Sequence, residues 1–185
     1  GAKKLRYKRV KTMMTYSSTR GGESGKSFSE ILLSGLASDG GLFMPDSWPQ
    51  LSADQLKGMA GKSYAEIAYD VISPFVDEHF AGARLKAILE KTYGAAETRF
   101  HDKSITPLRQ LEPNLWSLEL FHGPTMAFKD VALQLLGHLF DAALEDRGER
   151  VTIVGATSGD TGSAAIEGCL ACKNVDMCIL FPDGR

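Results

Sequence analysis

The chain has 185 residues, 43% of them hydrophobic and 24% charged, with a formal net charge of −2. That is enough for one domain or two small ones of a water-soluble kind. The near-neutral charge gives no reason to expect a nucleic-acid or membrane partner, and neither an apolar run of transmembrane length nor a secretory leader is present in it.

Residues Gly1 to Lys11 carry Lys3, Lys4, Arg6, Lys8, Arg9 and Lys11 and no acid. Such an arm can bind nucleic acid or target an organelle. It lacks the serines and the amphipathic pattern of a transit peptide. Residues 1–15 therefore read as a disordered basic tail or a cloning remnant.

Gly21-Gly22-Glu23-Ser24-Gly25-Lys26-Ser27 invites comparison with a phosphate-binding P-loop. The spacing fails, because the first glycine of that pattern would fall on Arg20. A loop leading into a helix over Ser27–Ala37 is expected instead, with Phe28, Ile31, Leu32 and Leu36 on one face. Ser38-Asp39-Gly40-Gly41 is a turn. Ser52 and Ser63 each precede a helical pattern and read as N-caps, and a further helix is expected over Leu85–Tyr93. Residues 16–100 are thus read as a mainly helical domain.

From about Phe100 the pattern changes to βαβ, which sets off 101–185 as a second unit. Strands are expected near Thr106–Leu111, Leu115–Phe121, Val151–Gly155 and Val175–Phe181. The last two suit a buried parallel sheet. Helices over 129–146 and 161–172 should link them by right-handed crossovers. Cys169, Cys172 and Cys178 do not have the spacing of a zinc site and read as buried thiols of a reducing compartment. No metal site is expected.

Two stretches carry chemistry. The first is Phe121-His122-Gly123-Pro124-Thr125-Met126-Ala127-Phe128-Lys129-Asp130. Lys129 falls on a strand-to-helix connection, where α/β proteins build their sites. Most lysines in such places are solvated charges. Here the flank of Met126, Ala127 and Phe128 is apolar, and the dipole of the following helix disfavours a cation. An amine so placed should lose its proton more readily and become a nucleophile. That is what imine chemistry with a carbonyl cofactor requires. His122 reads as a histidine packed beside a turn.

The second stretch is Gly155-Ala156-Thr157-Ser158-Gly159-Asp160-Thr161-Gly162. It offers hydroxyls and N–H groups at a helix N-terminus, a nest for an anion. Its glycines do not fit a dinucleotide fingerprint. Taken alone, it could equally be a tight turn with Asp160 or Thr161 as N-cap.

Together, His-Gly-Pro-Thr-x-Ala-Phe-Lys-Asp and Thr-Ser-Gly-Asp-Thr-Gly resemble the threonine synthases, pyridoxal 5′-phosphate (PLP) enzymes of the tryptophan synthase β-subunit-like fold, fold type II. Tyr16-Ser17-Ser18-Thr19-Arg20-Gly21 and Asp39-Gly40-Gly41-Leu42-Phe43-Met44-Pro45 resemble the opening segments of the same family. The resemblance runs in order from Tyr16 to Arg185. It implies an α/β fold, and a cytoplasmic lyase that converts O-phosphohomoserine and water to threonine and phosphate, acting as monomer or homodimer. Lys129 would bond the cofactor, with Phe128 and Asp160 beside it. Thr157, Ser158, Gly159 and Thr161 would hold the substrate carboxylate. Many relatives have Asn where Asp160 stands, and an ionised Asp would be repelled by the cofactor's phenolic oxygen.

The family's cofactor-phosphate loop lies far downstream in longer chains and has no counterpart here. The sequence thus reads as an N-terminal portion, expected to bind PLP weakly, to form no threonine alone and to self-associate through an uncovered sheet face. A lyase acting on another phosphorylated amino acid and a non-catalytic fragment are the other readings.

Overall fold

A computed structural model describes residues 13–184. The basic arm lies outside the described residues, apart from Met13 to Thr15. Thr15 already belongs to the folded body: its carbonyl accepts the N–H of Asp46 at 2.8 Å.

The first unit is a small hairpin with helices behind it. β1 (Tyr16–Ser18) and β2 (Phe43–Pro45) pair antiparallel, so the two opening motifs meet in space. Between them α1 runs over Phe28–Ser34, shorter than its apolar pattern suggested. Gly35, at φ 69, turns the chain out of the helix where a side chain would be strained. α2 (Ala53–Gly58) and α3 (Tyr64–Ile72) start at Ser52 and Ser63 as expected. Each serine forms a capping box with Gln55 or Glu66, satisfying N–H groups the helix cannot.

α4 (Ala83–Tyr93) buries Leu85, Ile88, Leu89, Thr92 and Tyr93, the spacing of a single helical face. That face packs with Phe80, Phe100 and Ile105, and with Leu135, Leu139 and Ala143 of the next long helix, in one continuous core. Phe80, Leu85 and Leu89 are wholly inaccessible. Burying each such side chain is worth about 1.5–3 kcal/mol. Among the described residues no helix is long and apolar enough to cross a membrane.

The second half differs from the sequence expectation in its strand pairing. β3 (Leu108–Glu112) and β4 (Leu115–Leu118) form an antiparallel hairpin, turned at Asn114 with φ 65. β4 stops three residues before Phe121, and β4 does not join the parallel sheet. Two residues between the strands are too few for a parallel crossover, so only a hairpin can close there. The parallel sheet consists of β5 (Val151–Ala156) and β6 (Val175–Leu180). α5 (Asp130–Arg147) precedes it and α6 (Asp160–Cys169) joins its strands.

Within the described residues the parallel sheet is covered on one face only. Val151, Ile153, Val175, Met177 and Ile179 turn inward, while Thr152, Val154, Asp176, Cys178 and Leu180 are exposed. α6 packs against β6, and α5 packs against α6. Cys178 is therefore exposed, and Cys169 and Cys172 are half-buried rather than buried.

Candidate active site

After β4 the chain takes eleven residues to reach α5. His101 donates its N–H to the carbonyl of His122 at 2.8 Å. The His122 ring meets the Glu119 carboxylate at 2.7 Å, so this histidine is tied into the turn. Asp130, wholly buried in the first turn of α5, then closes the loop on itself. One carboxylate oxygen accepts the N–H of Thr125 at 2.8 Å, and the other accepts its hydroxyl at 2.7 Å. A carboxylate at a helix N-terminus is also favoured by the dipole. Gly123 lies flat against Asp130: a Cβ there would fall 2.4 Å from the Asp130 Cβ. Met126 takes a left-handed turn, φ 59, and Ala127 goes inside.

These constraints fix Lys129 immediately before α5, with its carbonyl already accepting from Leu133 at 2.9 Å. The side chain is half-buried, and its Nζ lies 4.4 Å from the centroid of the Phe128 ring. The apolar wrapping expected from sequence is absent. Met126 is 74% exposed and Phe128 59%, because the left-handed turn at Met126 points both outward. The Asp130–Thr125–Gly123 device lies in plain view in the sequence. An acid in the first turn of a helix, five residues after a threonine, was its signal.

The second loop follows β5 directly. Thr157 extends the ladder by donating its N–H to the Leu180 carbonyl at 3.0 Å. Gly159, not Asp160 or Thr161, occupies the N-cap position of α6, and no side chain caps this helix. Asp160 is the first helical residue. The leading N–H groups of a helix have no partner of their own, and Ser158, Gly159, Asp160 and Thr161 are all exposed around them. Such an end is suited to an anion. Gly162 must be small: a Cβ there would lie 2.8 Å from the Thr157 Cγ2 and 3.0 Å from the Ile179 Cγ2.

The two loops share one end of the sheet. α5 ends at Arg147 and β5 begins at Val151; β5 ends at Ala156 and α6 begins at Asp160. The two helices pack on each other and run the same way, Gly137 beside Gly168 and Asp141 beside Asn174, so their N-termini point to one end. They cross where backbone meets backbone. A Cβ on Gly137 would fall 2.0 Å from the Gly168 carbonyl oxygen, and one on Gly168 2.5 Å from that of Leu133. From this crossing the N-terminus of α5 is about 10 Å away and that of α6 about 12 Å. A cleft of ≈ 370 Å³ opens beside α6, lined by Thr157, Ser158, Gly159, Gly162, Ile179 and Phe181 among others. Asp160, Thr161, Phe128 and Lys129 do not line it. Phe181 is 74% exposed, and the sequence marks it only as a strand end.

The other cations near the motifs are engaged in the hairpin unit. Arg20 donates through Nη1 to the Asp39 carbonyl at 2.9 Å, and Lys26 lies 3.5 Å from Glu23. The Asp39 carboxylate accepts from the Ser18 hydroxyl at 2.7 Å, from Gly41 N–H at 2.8 Å and from Gly22 N–H at 2.7 Å. The Ser18 hydroxyl first, and then these N–H groups, hold its carboxyl below the usual range. A wider groove of ≈ 490 Å³ runs between α3 and α4. Lys62 pairs with Asp70, Lys86 lies over the Tyr69 ring and Glu66 is tied to Ser63 in the cap of α3, so it offers no convergent chemistry.

Residues 15–93 match the family described as the threonine synthase N terminus. The chain is 54% identical over 172 residues to threonine synthase of Pseudomonas aeruginosa, covering 93% of this chain and 36% of that one. Against threonine synthase of Schizosaccharomyces pombe the identity is 46% over 185 residues, covering 95% and 35%. The fold superposes on the crystal structure of PLP-bound threonine synthase from Brucella melitensis with a TM-score of 0.87 and 49% identity, covering 93% and 36%. The chain thus spans about a third of the length of the relatives it matches. In sequence and in its α/β fold, that of PLP fold type II, it belongs to the threonine synthase family, whose N-terminal portion it carries.

Proposed function

We propose that this chain supplies the lysine and the carboxylate-binding loop of a PLP-dependent threonine synthase. The reaction converts O-phosphohomoserine and water to threonine and phosphate, with phosphate leaving Cγ and water adding at Cβ. The observation that carries this reading is the pairing of two helix N-termini at one end of the β5–β6 sheet. One is headed by Lys129, and the other is bare of any side-chain cap.

The residues present fit the cofactor. A primary amine stands half-buried at Lys129, the exposed Phe128 ring offers it an aromatic flank, and uncapped N–H groups border a cleft of ligand size. PLP supplies an electron sink for carbanions when bound. Lys129 would hold the cofactor through its amine. Its amine would also move protons at Cα and Cβ of the substrate. Thr157, Ser158, Gly159 and Thr161 would accept the substrate carboxylate on their N–H and O–H donors. That fixes the substrate and presents its Cα proton to a base. Asp160, exposed and one residue inside α6, would stand on the cofactor side of this loop.

The test is a chimera in which this chain replaces the matching third of the Pseudomonas aeruginosa enzyme. It should release threonine and phosphate from O-phosphohomoserine with PLP, and Lys129→Ala should abolish the release. A folded chimera without turnover would contradict the reading.

A further inference from the structure

A second pair of nucleophiles lies away from the candidate site. Cys169 is the last residue of α6 and Cys172 follows in the next turn. The Cys172 N–H donates to the Cys169 carbonyl at 2.9 Å, which closes an i to i+3 turn. In such a turn the outer Cα atoms lie within about 7 Å, and disulfides span about 4.4–6.8 Å between Cα atoms. The neighbouring Cys172 side chain favours the thiolate at Cys169, while the Cys169 side chain and burial disfavour it at Cys172. Both are half-buried, so a small reagent can reach them, whereas exposed Cys178 lies on the uncovered face of β6.

The pair sits at the closest approach of α5 and α6. The Cys172 S–H reaches the Gly137 carbonyl of α5 at 3.3 Å and the Gly168 carbonyl of α6 at 3.9 Å. It is thus a side-chain donor that seats the end of α6 on its neighbour.

We propose that Cys169 and Cys172 form a reversible disulfide by exchange with a small disulfide, and that this frees the end of α6 from α5. The Cys169 thiolate attacks one sulfur of R–S–S–R, that S–S bond breaks, and R–S⁻ leaves. Cys172, having given its proton to water, attacks the Cys169 sulfur and expels the second R–S⁻. Two protein thiols are oxidised to one disulfide, and the reagent is reduced to two R–SH with two protons from solvent. The Cys172 sulfur then has no hydrogen to donate to Gly137. This proposal does not rest on the proposed function.

The chain is incubated with oxidised glutathione, alkylated and mapped by mass spectrometry. Cys169 and Cys172 should appear as one disulfide-linked peptide lacking two hydrogens, with Cys178 unpaired, and dithiothreitol should restore both to alkylation. Cys178→Ser should leave this result unchanged. Cys172→Ser should instead accumulate glutathione on Cys169. Alkylation of both cysteines after oxidation, a lasting glutathione adduct on either in the unsubstituted chain, or a disulfide through Cys178 would overturn the proposal. Amide exchange over 168–173 should quicken in the oxidised chain and slow again on reduction, and unchanged exchange would refute the release of α6.

Discussion

Asp130 grips Thr125 at two points, its carboxylate taking both the backbone N–H and the hydroxyl of that residue. The grip ties the loop before α5 to the helix itself, so Lys129 is held from both sides. Asp130→Ala leaves both Thr125 donors without this partner and opens a cavity, and should cost about 1–3 kcal/mol. Thr125→Val removes only the hydroxyl bond and should cost about 1 kcal/mol. Urea unfolding of both variants and of the double variant checks this. The double variant should cost less than the sum, because the two changes share one bond.

The crossing of α5 and α6 has no room for a methyl group. Gly137→Ala would put a Cβ 2.0 Å from the Gly168 carbonyl oxygen. Both partners are backbone, so the helices must part. A loss of about 1–3 kcal/mol is expected, despite the better helix propensity of alanine. Thermal unfolding should show it, whereas Gly58→Ala, with nothing within 4 Å, should not be destabilised by a clash.

Asp39 sets an acid limit on the hairpin unit. Its carboxyl is held below the ordinary value of 3.8, chiefly by the Ser18 hydroxyl. A carboxyl depressed in the folded state stabilises fully above its unfolded value. That contribution is lost as pH falls from about 4 through the lower folded value. Asp39→Asn should therefore flatten the decline in stability below about pH 4 relative to the unsubstituted chain. Parallel slopes over that range would exclude Asp39 as a contributor.

Ser158 and Thr161 are the exposed hydroxyls of the second loop. In the chimera, Ser158→Ala or Thr161→Ala should raise KM for O-phosphohomoserine more than it weakens PLP binding. Each hydrogen bond lost to a charged group is worth about 1.5–3 kcal/mol. Equal loss of PLP from both variants would point to the cofactor phosphate instead of the substrate carboxylate.

Much of this was legible in the residues, and the misses have physical causes. Ser52 and Ser63 marked helix starts because a capping box is local chemistry written within four residues. Val151–Ala156 and Val175–Leu180 were legible as strands because apolar and β-branched runs favour extended chain. The alternation in Leu115–Phe121 carried no information on its partner, and the short turn at Asn114 decided for a hairpin. The direction of Phe128 and Met126 depended on one left-handed residue, Met126, which propensity does not foresee. Asp160 and Thr161 are good cap residues and offered an N-cap as the alternative to an anion nest, yet Gly159 takes the position. Pairing of Tyr16–Ser18 with Phe43–Pro45 joins segments twenty-four residues apart, and no local signal announces it.

The central claim is that Lys129 is the residue that bonds the cofactor. Its most direct test is borohydride reduction of the PLP-loaded chimera, followed by peptide mapping. The pyridoxyl label should be found on Lys129, and the Lys129→Ala chimera should carry none. A label on any other lysine, or one that survives Lys129→Ala, would contradict the account.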